Sequence, residues 1–405
     1  MSKYLSDGTY VWTRTVGGDD SDDMEAIALG ADGGVLATGT FRGEVDFDPG
    51  DGKDERWSHG GLDTFLVKLA SGGDYLWTLT FGGEDSECSD GVRVSSDGSI
   101  FLVGGFTSEE VDFDPSHEED IHFLNGASDG FVSRYSAAGD YEWTRTYGGI
   151  EFDGANAVAV NSAGEVVLCG FFSGELAVDF DPTEGVDERL SNGESDMFVS
   201  ALAGDGSYLW TWTAGAEEPE AATAIAVDSA GNIFVTGECG DNIVDYAVDF
   251  DQLGSGDVHV SNGEEDVFVT MLQADGSDGW TRTIGGVGTD LGQQIATGPD
   301  GELVLVGMFA ETVDFDPDGE GDVHTSNGSL DIFVTTFECT DELPCDGDAN
   351  GDGLVDPLDS GFVLARFGCD VGAGDPSCDT ADMNGDGLVD PLDVGFILAR
   401  FGTCE

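Results

Sequence analysis

The sequence is poor in positive charge. Of its 405 residues, 13 are Lys or Arg and 83 are Asp or Glu, a formal net charge of −70. Lysine occurs only as Lys3, Lys53 and Lys68. Phosphate binding needs a basic face, so no nucleic-acid partner is expected, and adsorption to anionic lipid is disfavoured for the same reason. Long apolar runs are also lacking. No stretch approaches the roughly 18 residues a membrane span requires, so no membrane insertion is expected. Residues 1–30 show no basic segment followed by an apolar one, so no signal peptide is visible. No segment before residue 355 carries a convincing helical period. The five histidines include no H-E-x-x-H pair. A chain this acidic repels itself unless salt or bound cations screen it. It suits secretion into salty water, or a protein that holds Ca²⁺.

What is abundant is repetition. VDFDP stands at 45–49, 111–115, 178–182 and 313–317, and VDFDQ at 248–252. Each copy belongs to a longer unit. A tryptophan strand opens it: YVWTRTVGG (10–18), YLWTLTFGG (75–83), YEWTRTYGG (141–149), YLWTWTAGA (208–216) and GWTRTIGG (279–286). A short apolar strand follows, then a turn such as ADGG or SDGS, then a β-rich run ending near glycine, such as VLATGTF or FLVGGF. VDFDP comes next. An acidic loop then leads to DTFLVKL, DGFVSRY, DMFVSAL, DVFVTML or DIFVTTF. Every run is short, β-branched or aromatic, and bounded by Gly, Asp or Asn. Four or five strands per unit, five times over, predict a mainly β fold: a β-propeller with one blade per repeat. A β-helix is the alternative, although its coils are usually shorter.

The last copy stops at DIFVTTFE (331–338), and the chain opens with a spare tryptophan strand. Residues 10–18 are therefore expected to complete the fifth blade. SKYLSDGTYVW (2–12) also aligns with VKLASGGDYLW (67–77), so Met1 falls inside a blade. The chain is then either a closed ring of five or a fragment of a longer array. The D-x-F-V strand, the glycine turn, W-T-x-T-x-G-G and x-x-x-T-G resemble the SBBP family of β-propeller repeats over roughly residues 2–338. That resemblance implies a propeller and an extracellular setting, with no set chemistry. Here each copy carries an insertion, VDFDP through SNG, that the family unit lacks.

Residues i and i+2 of a strand share a face. Val45 and Phe47 should therefore point into the packing and Asp46 and Asp48 away from it. The same holds for Asp112 and Asp114, Asp179 and Asp181, Asp249 and Asp251, and Asp314 and Asp316. Another aspartate recurs before each F-V strand: Asp63, Asp129, Asp196, Asp266 and Asp331. Three carboxylates per blade could meet around one Ca²⁺. The competing reading is local: aspartates that set turns and cap backbone N–H groups. It adds direct pairing of the VDFDP carboxylates with a repeated cationic or imidazole residue (Arg56, His122, Arg189, His259, His324). The insertions leave the blade at one junction and should gather on one face, either as a binding face or as a longer blade edge. Catalytic signals are weak. GASDG (126–130) matches G-x-S-x-G only where other copies have unrelated residues. An active site would also be expected to break the repeat.

The C-terminus carries a different signal. DANGDGLVDPLD (348–359) and DMNGDGLVDPLD (382–393) each fit a twelve-residue calcium loop. The expected ligands are Asp348, Asn350, Asp352, the Leu354 carbonyl, Asp356 and Asp359, then Asp382, Asn384, Asp386, the Leu388 carbonyl, Asp390 and Asp393. Glycine at the sixth position allows the turn. GFVLARF and GFILARF follow with an apolar helical face. This duplicated loop–helix resembles a type I dockerin over roughly residues 345–405, an α-helical, EF-hand-like module. The resemblance implies two Ca²⁺ ions and docking to a cohesin-like protein. The partner-reading positions depart from it, being Pro357-Leu358 and Pro391-Leu392. Cysteines bracket the module and read as disulfides of an oxidising compartment. Proximity of the two module ends favours a Cys345–Cys404 clasp with a Cys369–Cys378 staple. The rival is Cys345–Cys369 with Cys378–Cys404, and Cys339 could compete. No partner is assigned to Cys88, Cys169 or Cys239.

The expected organisation is a propeller over 1–338, a linker over 339–345 and a calcium module over 346–405. The expected function is a secreted or cell-surface binding and assembly protein without enzymatic activity. Its expected partners are a polysaccharide or another extracellular protein. The alternative is a carbohydrate-active enzyme, a glycoside hydrolase docked through its C-terminus.

Overall fold

A computed structural model describes residues 1–338 except 117, 184, 241–245, 251–256, 299–300 and 317–320, together with the pair Leu354–Val355 and Gly402–Thr403. Among the described residues there is no α-helix. The chain forms one compact unit from Met1–Pro299 and Leu303–Thr336, and a second from Asp300–Glu302 and Phe337–Glu405.

The first unit is a run of antiparallel sheets, each contributed by one repeat. Asp22–Leu29, Val35–Phe41, Asp63–Leu69 and Tyr75–Phe81 form the first sheet, hydrogen-bonded in that order. Glu87–Val94, Ile100–Phe106, Asp129–Tyr135 and Tyr141–Tyr147 form the second. Gly154–Val160, Val166–Ser173, Ser195–Leu202 and Tyr208–Ala214 form the third. Ala221–Val227, Ile233–Cys239, Asp266–Leu272 and Asp278–Ile284 form the fourth. Leu291–Thr297, Glu302–Phe309 and Asp331–Glu338 form a three-stranded fifth. Four-stranded antiparallel meanders repeated along the chain are the blade unit of a propeller-type repeat fold.

The sheets pack in sequence. The innermost strand of each lies over the preceding sheet, with apolar clusters spanning the joints. Val92, Val158, Ile225 and Ile295 occupy equivalent inner-strand positions and are all buried. Ile27 is their counterpart in the first sheet. It has no preceding inner strand to cover it and is 58% exposed.

The joints also explain the glycine turn before each tryptophan strand. Gly139 has φ 89°, a conformation that L side chains rarely adopt. A Cβ there would lie 3.1 Å from the Trp77 indole of the preceding repeat. Gly73, Gly206 and Gly276 meet Trp12, Trp143 and Trp210 in the same way. Each tryptophan therefore lies on the next repeat's turn, and only glycine lets it approach.

The spare tryptophan strand does not do what its sequence suggests. Tyr10–Thr13 pairs with Ser2–Tyr4, with Lys3 opposite Trp12, rather than with the fifth sheet. The reason is local. Ser2–Tyr4 carries the pattern of Val67–Leu69, and a short turn brings it back onto Tyr10–Thr13. The hairpin thus takes the place of the outer half of a preceding repeat. Trp12 is buried against Gly73 and donates its indole N–H to the Ser71 carbonyl at 3.3 Å.

In the second unit, Leu354 pairs with Thr403 and Val355 with Gly402. The other expected calcium ligands, Asp348, Asn350, Asp352, Asp356, Asp359, Asp382, Asn384, Asp386, Leu388, Asp390 and Asp393, lie outside the described residues. So do Cys339, Cys345, Cys369, Cys378 and Cys404. Cys88, Cys169 and Cys239 are free thiols.

Candidate functional site

The alternation read from VDFDP holds in every repeat. Val45 and Phe47, Val111 and Phe113, Val178 and Phe180, Val248 and Phe250, and Val313 and Phe315 are all buried. Each phenylalanine closes an aromatic cluster. Phe113 lies 5.0–5.6 Å, centroid to centroid, from Phe81, Phe106, Phe131 and His122.

The first aspartate of the phrase caps the hairpin that the insertion forms. Asp46 Oδ1 accepts the Asp48 N–H at 3.1 Å and the Asp54 N–H at 2.9 Å, tying the two sides of the loop together. Asp112 accepts from Asp114 and Asp120, Asp179 from Asp181 and Asp187, and Asp314 from Asp316 and Asp322. The second aspartate closes a tighter turn: Asp48 accepts from Gly50, Asp114 from Ser116 and Asp181 from Thr183. Asp249 sits on the same hairpin strand, and Asp251 lies outside the described residues.

In the first, second, third and fifth repeats the repeated cation does not bind these carboxylates. Arg56, His122, Arg189, His259 and His324 pair instead with Asp54, Asp120, Asp187, Asp257 and Asp322, at 2.9–3.5 Å. Strand periodicity is the reason. Arg56 shares a face with Asp54 two residues earlier, whereas Asp46 lies opposite Glu55 in the register. Tyr75, Tyr141 and Tyr208 donate to Asp54, Asp120 and Asp187. Arg56 and Arg189 also donate to the Thr78 and Thr211 carbonyls. Each of these hairpins is thereby fastened to the tryptophan strand of its own sheet.

The first three hairpins, fastened this way, and the fourth present apolar side chains to solvent at one repeated position. Trp57 is 62% exposed, Phe123 64%, Leu190 57% and Val260 45%. Glu44 lies across the strand pair from Trp57 and Glu110 across from Phe123. The sequence pointed to the insertion as a binding face but did not single out these residues. Their signal was the apolar residue one place after the Arg or His in the first four repeats.

The aspartates before the F-V strands are elsewhere. Asp63, Asp129, Asp196 and Asp266 are buried at the joints between sheets, while Asp331 accepts the Asn327 N–H at 2.9 Å. Each buried one is near enough for charge to act between it and an acid that the sequence reading missed, at the start of the next repeat's inner strand or just before it: Glu87, Asp153, Glu220 and Asp290. These four are also buried. Burial, with the facing acid adding to it, pushes Asp129 up to about 7, Glu220 to about 8 and Asp266 to about 7. Burial raises Asp153, Asp196 and Asp290 to about 6. Among the described residues, no three His, Cys, Asp or Glu side chains gather into a metal-binding group. VDFDP and the F-V aspartate therefore do not share one site.

These raised values fix a pH dependence. Such groups stabilise the fold when protonated, fully below the unfolded carboxyl range near 4, and that stability is lost as pH rises through 6–8. In metal-free buffer the protein should melt at a lower temperature at pH 8.5 than at pH 5.5. Equal or reversed melting temperatures by circular dichroism would contradict the burial of these acids.

No family model matches the chain. It is 28% identical over 228 residues to the regulatory protein FlaEY of Caulobacter vibrioides, covering 55% of this chain and 23% of that one. It is 19% identical to an uncharacterized WD repeat-containing protein of Acanthamoeba polyphaga mimivirus, covering 52% of this chain and 17% of that one. The chain thus spans less than a quarter of the length of these relatives. Among solved structures, the WD40 domain of Neurospora crassa Pan2 is 10% identical over 76% of this chain and 80% of its own, with a TM-score of 0.36.

Proposed function

We propose that the chain is a secreted or surface binding and assembly protein. Its row of insertion hairpins is a platform for a polymeric ligand, and its C-terminal calcium loops are a docking module. The observation that carries the reading is the repeated exposed side chain. An apolar group held on a fastened hairpin is a preorganised anchor, and aromatic anchors dominate binding surfaces. A ring beside a carboxylate matches the two faces of a sugar, apolar C–H and polar hydroxyl. The surrounding acidity favours a neutral polysaccharide over an anionic one.

The hydrolase alternative receives less support. A glycosidase sets two carboxylates apart from the rest by their environment. Here most of the acids with strongly raised values recur from joint to joint and are buried between sheets where a sugar chain does not reach, whereas Asp90 and Glu238, raised by burial to about 6 and about 7, stand singly outside that set. The test is binding to a panel of soluble neutral polysaccharides by the chain and by its Trp57→Ala and Phe123→Ala variants. A ligand whose affinity falls about tenfold in each variant supports the platform. Absence of any binding, or unchanged affinity in both variants, refutes it.

A further inference from the structure

The paired acids at the sheet joints are not explained by loop capping. They recur at four successive junctions as Asp63 with Glu87, Asp129 with Asp153, Asp196 with Glu220, and Asp266 with Asp290. All eight are at most 1% exposed. At the first, second and fourth junctions one member is held by main-chain donors, and at the third Asp196 is held by the Asn192 N–H and the Ser191 and Asn192 side chains. Asp153 accepts from Gly149 at 2.6 Å and Ser173 at 3.0 Å, and Asp290 from Gly286 at 2.7 Å and Ala310 at 3.0 Å. Glu87 accepts from Gly83 at 2.7 Å and Ser108 at 3.3 Å. Donors to both oxygens favour the anion.

Its neighbour is built differently. Asp63, Asp129 and Asp266 each accept one main-chain N–H at Oδ2, from His59, Asn125 and Asn262, and Asp63 Oδ2 also meets the His59 imidazole Nδ1 at 3.1 Å. Oδ1 of each is buried without a hydrogen-bond partner. At the third junction the buried oxygen without a partner is Glu220 Oε1. Glycine makes room for these oxygens. A Cβ at Gly148 would lie 2.3 Å from Asp129 Oδ1, and one at Gly285 would lie 2.1 Å from Asp266 Oδ1. The charged neighbours acting on Asp129, Asp153, Glu220 and Asp266 are all carboxylates.

Buried anions need a counter-charge, and no basic side chain supplies one at these four residues. We propose that the second, third and fourth sheet junctions bind a hard divalent cation of the Ca²⁺ class. The cation lies between the oriented carboxylate of one repeat and the donorless oxygen of the other. Two carboxylates offer up to four oxygens. Main-chain carbonyls and water complete the six to eight that Ca²⁺ takes. Each ion then joins one repeat to the next, and the chain's charge of −70 concentrates cations around it.

Terbium luminescence in the full chain tests this. Tyr147 lies close enough to Asp129 and Asp153 for their charges to act on it, and Tyr246 close enough to Glu220. Either tyrosine can pass excitation to an ion in its joint. Residues 345–405 contain no Trp or Tyr, so the C-terminal loops contribute no tyrosine-sensitised signal. The expected result is saturable tyrosine-sensitised emission, displaced by Ca²⁺ and reduced in Asp129→Asn and again in Asp129→Asn/Glu220→Gln. Both substitutions keep the side-chain shape, and near-ultraviolet circular dichroism checks that each variant is folded. Folded variants with undiminished emission overturn the proposal. So does a wild-type chain without sensitised emission whose Asp129→Asn variant melts no lower at pH 8, because the pair then holds a shared proton instead of a cation.

Discussion

Replacing Phe113 with alanine should lower the unfolding free energy by about 3–5 kcal/mol, the usual cost of emptying a buried aromatic site. The position is demanding because the ring has no solvent-facing edge and meets four other rings. Phe81 comes from the tryptophan strand of the preceding sheet, Phe106 and Phe131 from the two central strands of the second sheet, and His122 from the hairpin. Losing it leaves a cavity at the point where the hairpin joins its sheet. Phe123→Ala, ten residues on and 64% exposed, is the control and should shift stability by about 0.5 kcal/mol or less. Urea denaturation compares the two. If Phe113→Ala unfolds at the wild-type midpoint, VDFDP does not close the core.

The second large effect concerns the C-terminal loops. If the twelve expected ligands hold two Ca²⁺ ions, each loop gathers four aspartates whose mutual repulsion only a cation relieves. Chelation should then open residues 345–405 to proteolysis. Calcium at a thousandfold excess over Kd should stabilise the module by about 4 kcal/mol per site. Calorimetry of the full chain with Asp348→Ala and Asp382→Ala isolates these sites, because the double variant should bind two fewer ions than the wild type. Equal stoichiometry, or a cleavage pattern indifferent to chelator, removes calcium from the account of this module.

Much of the fold was legible because a repeated sequence states each strand several times. Val45 and Phe47 point inward as period-two reading requires, and every repeat confirms the same alternation. Pairings across strands were harder to read. The partner of Arg56 was placed on Asp46 because both recur, yet the i, i+2 rule already put Asp54 on the face of Arg56. Counting strands assigns Tyr10–Thr13 to the fifth sheet, while the alignment of residues 2–12 with 67–77 already contains the local hairpin in which Ser2–Tyr4 pairs with it. The inner-strand acids escaped because they alternate between Asp and Glu and stand alone. Their signal was spacing. Glu87, Asp153, Glu220 and Asp290 each follow the end of a tryptophan strand by the same interval, after GG or GA. The use of glycine under tryptophan could not be read from one strand at all, because Trp77 and Gly139 meet only when consecutive sheets stack.

The central claim is that the first four repeats act alike, each offering one anchor to a shared ligand. It is tested most directly by the affinity of four single variants, Trp57→Ala, Phe123→Ala, Leu190→Ala and Val260→Ala, for the polysaccharide the chain binds. The account predicts that every variant weakens binding, the aromatic positions most, and that combining them compounds the loss as anchors on one polymer should. A single variant that abolishes binding while the other three match the wild type would contradict it, because the ligand would then occupy one pocket and the repeat would be scaffold alone.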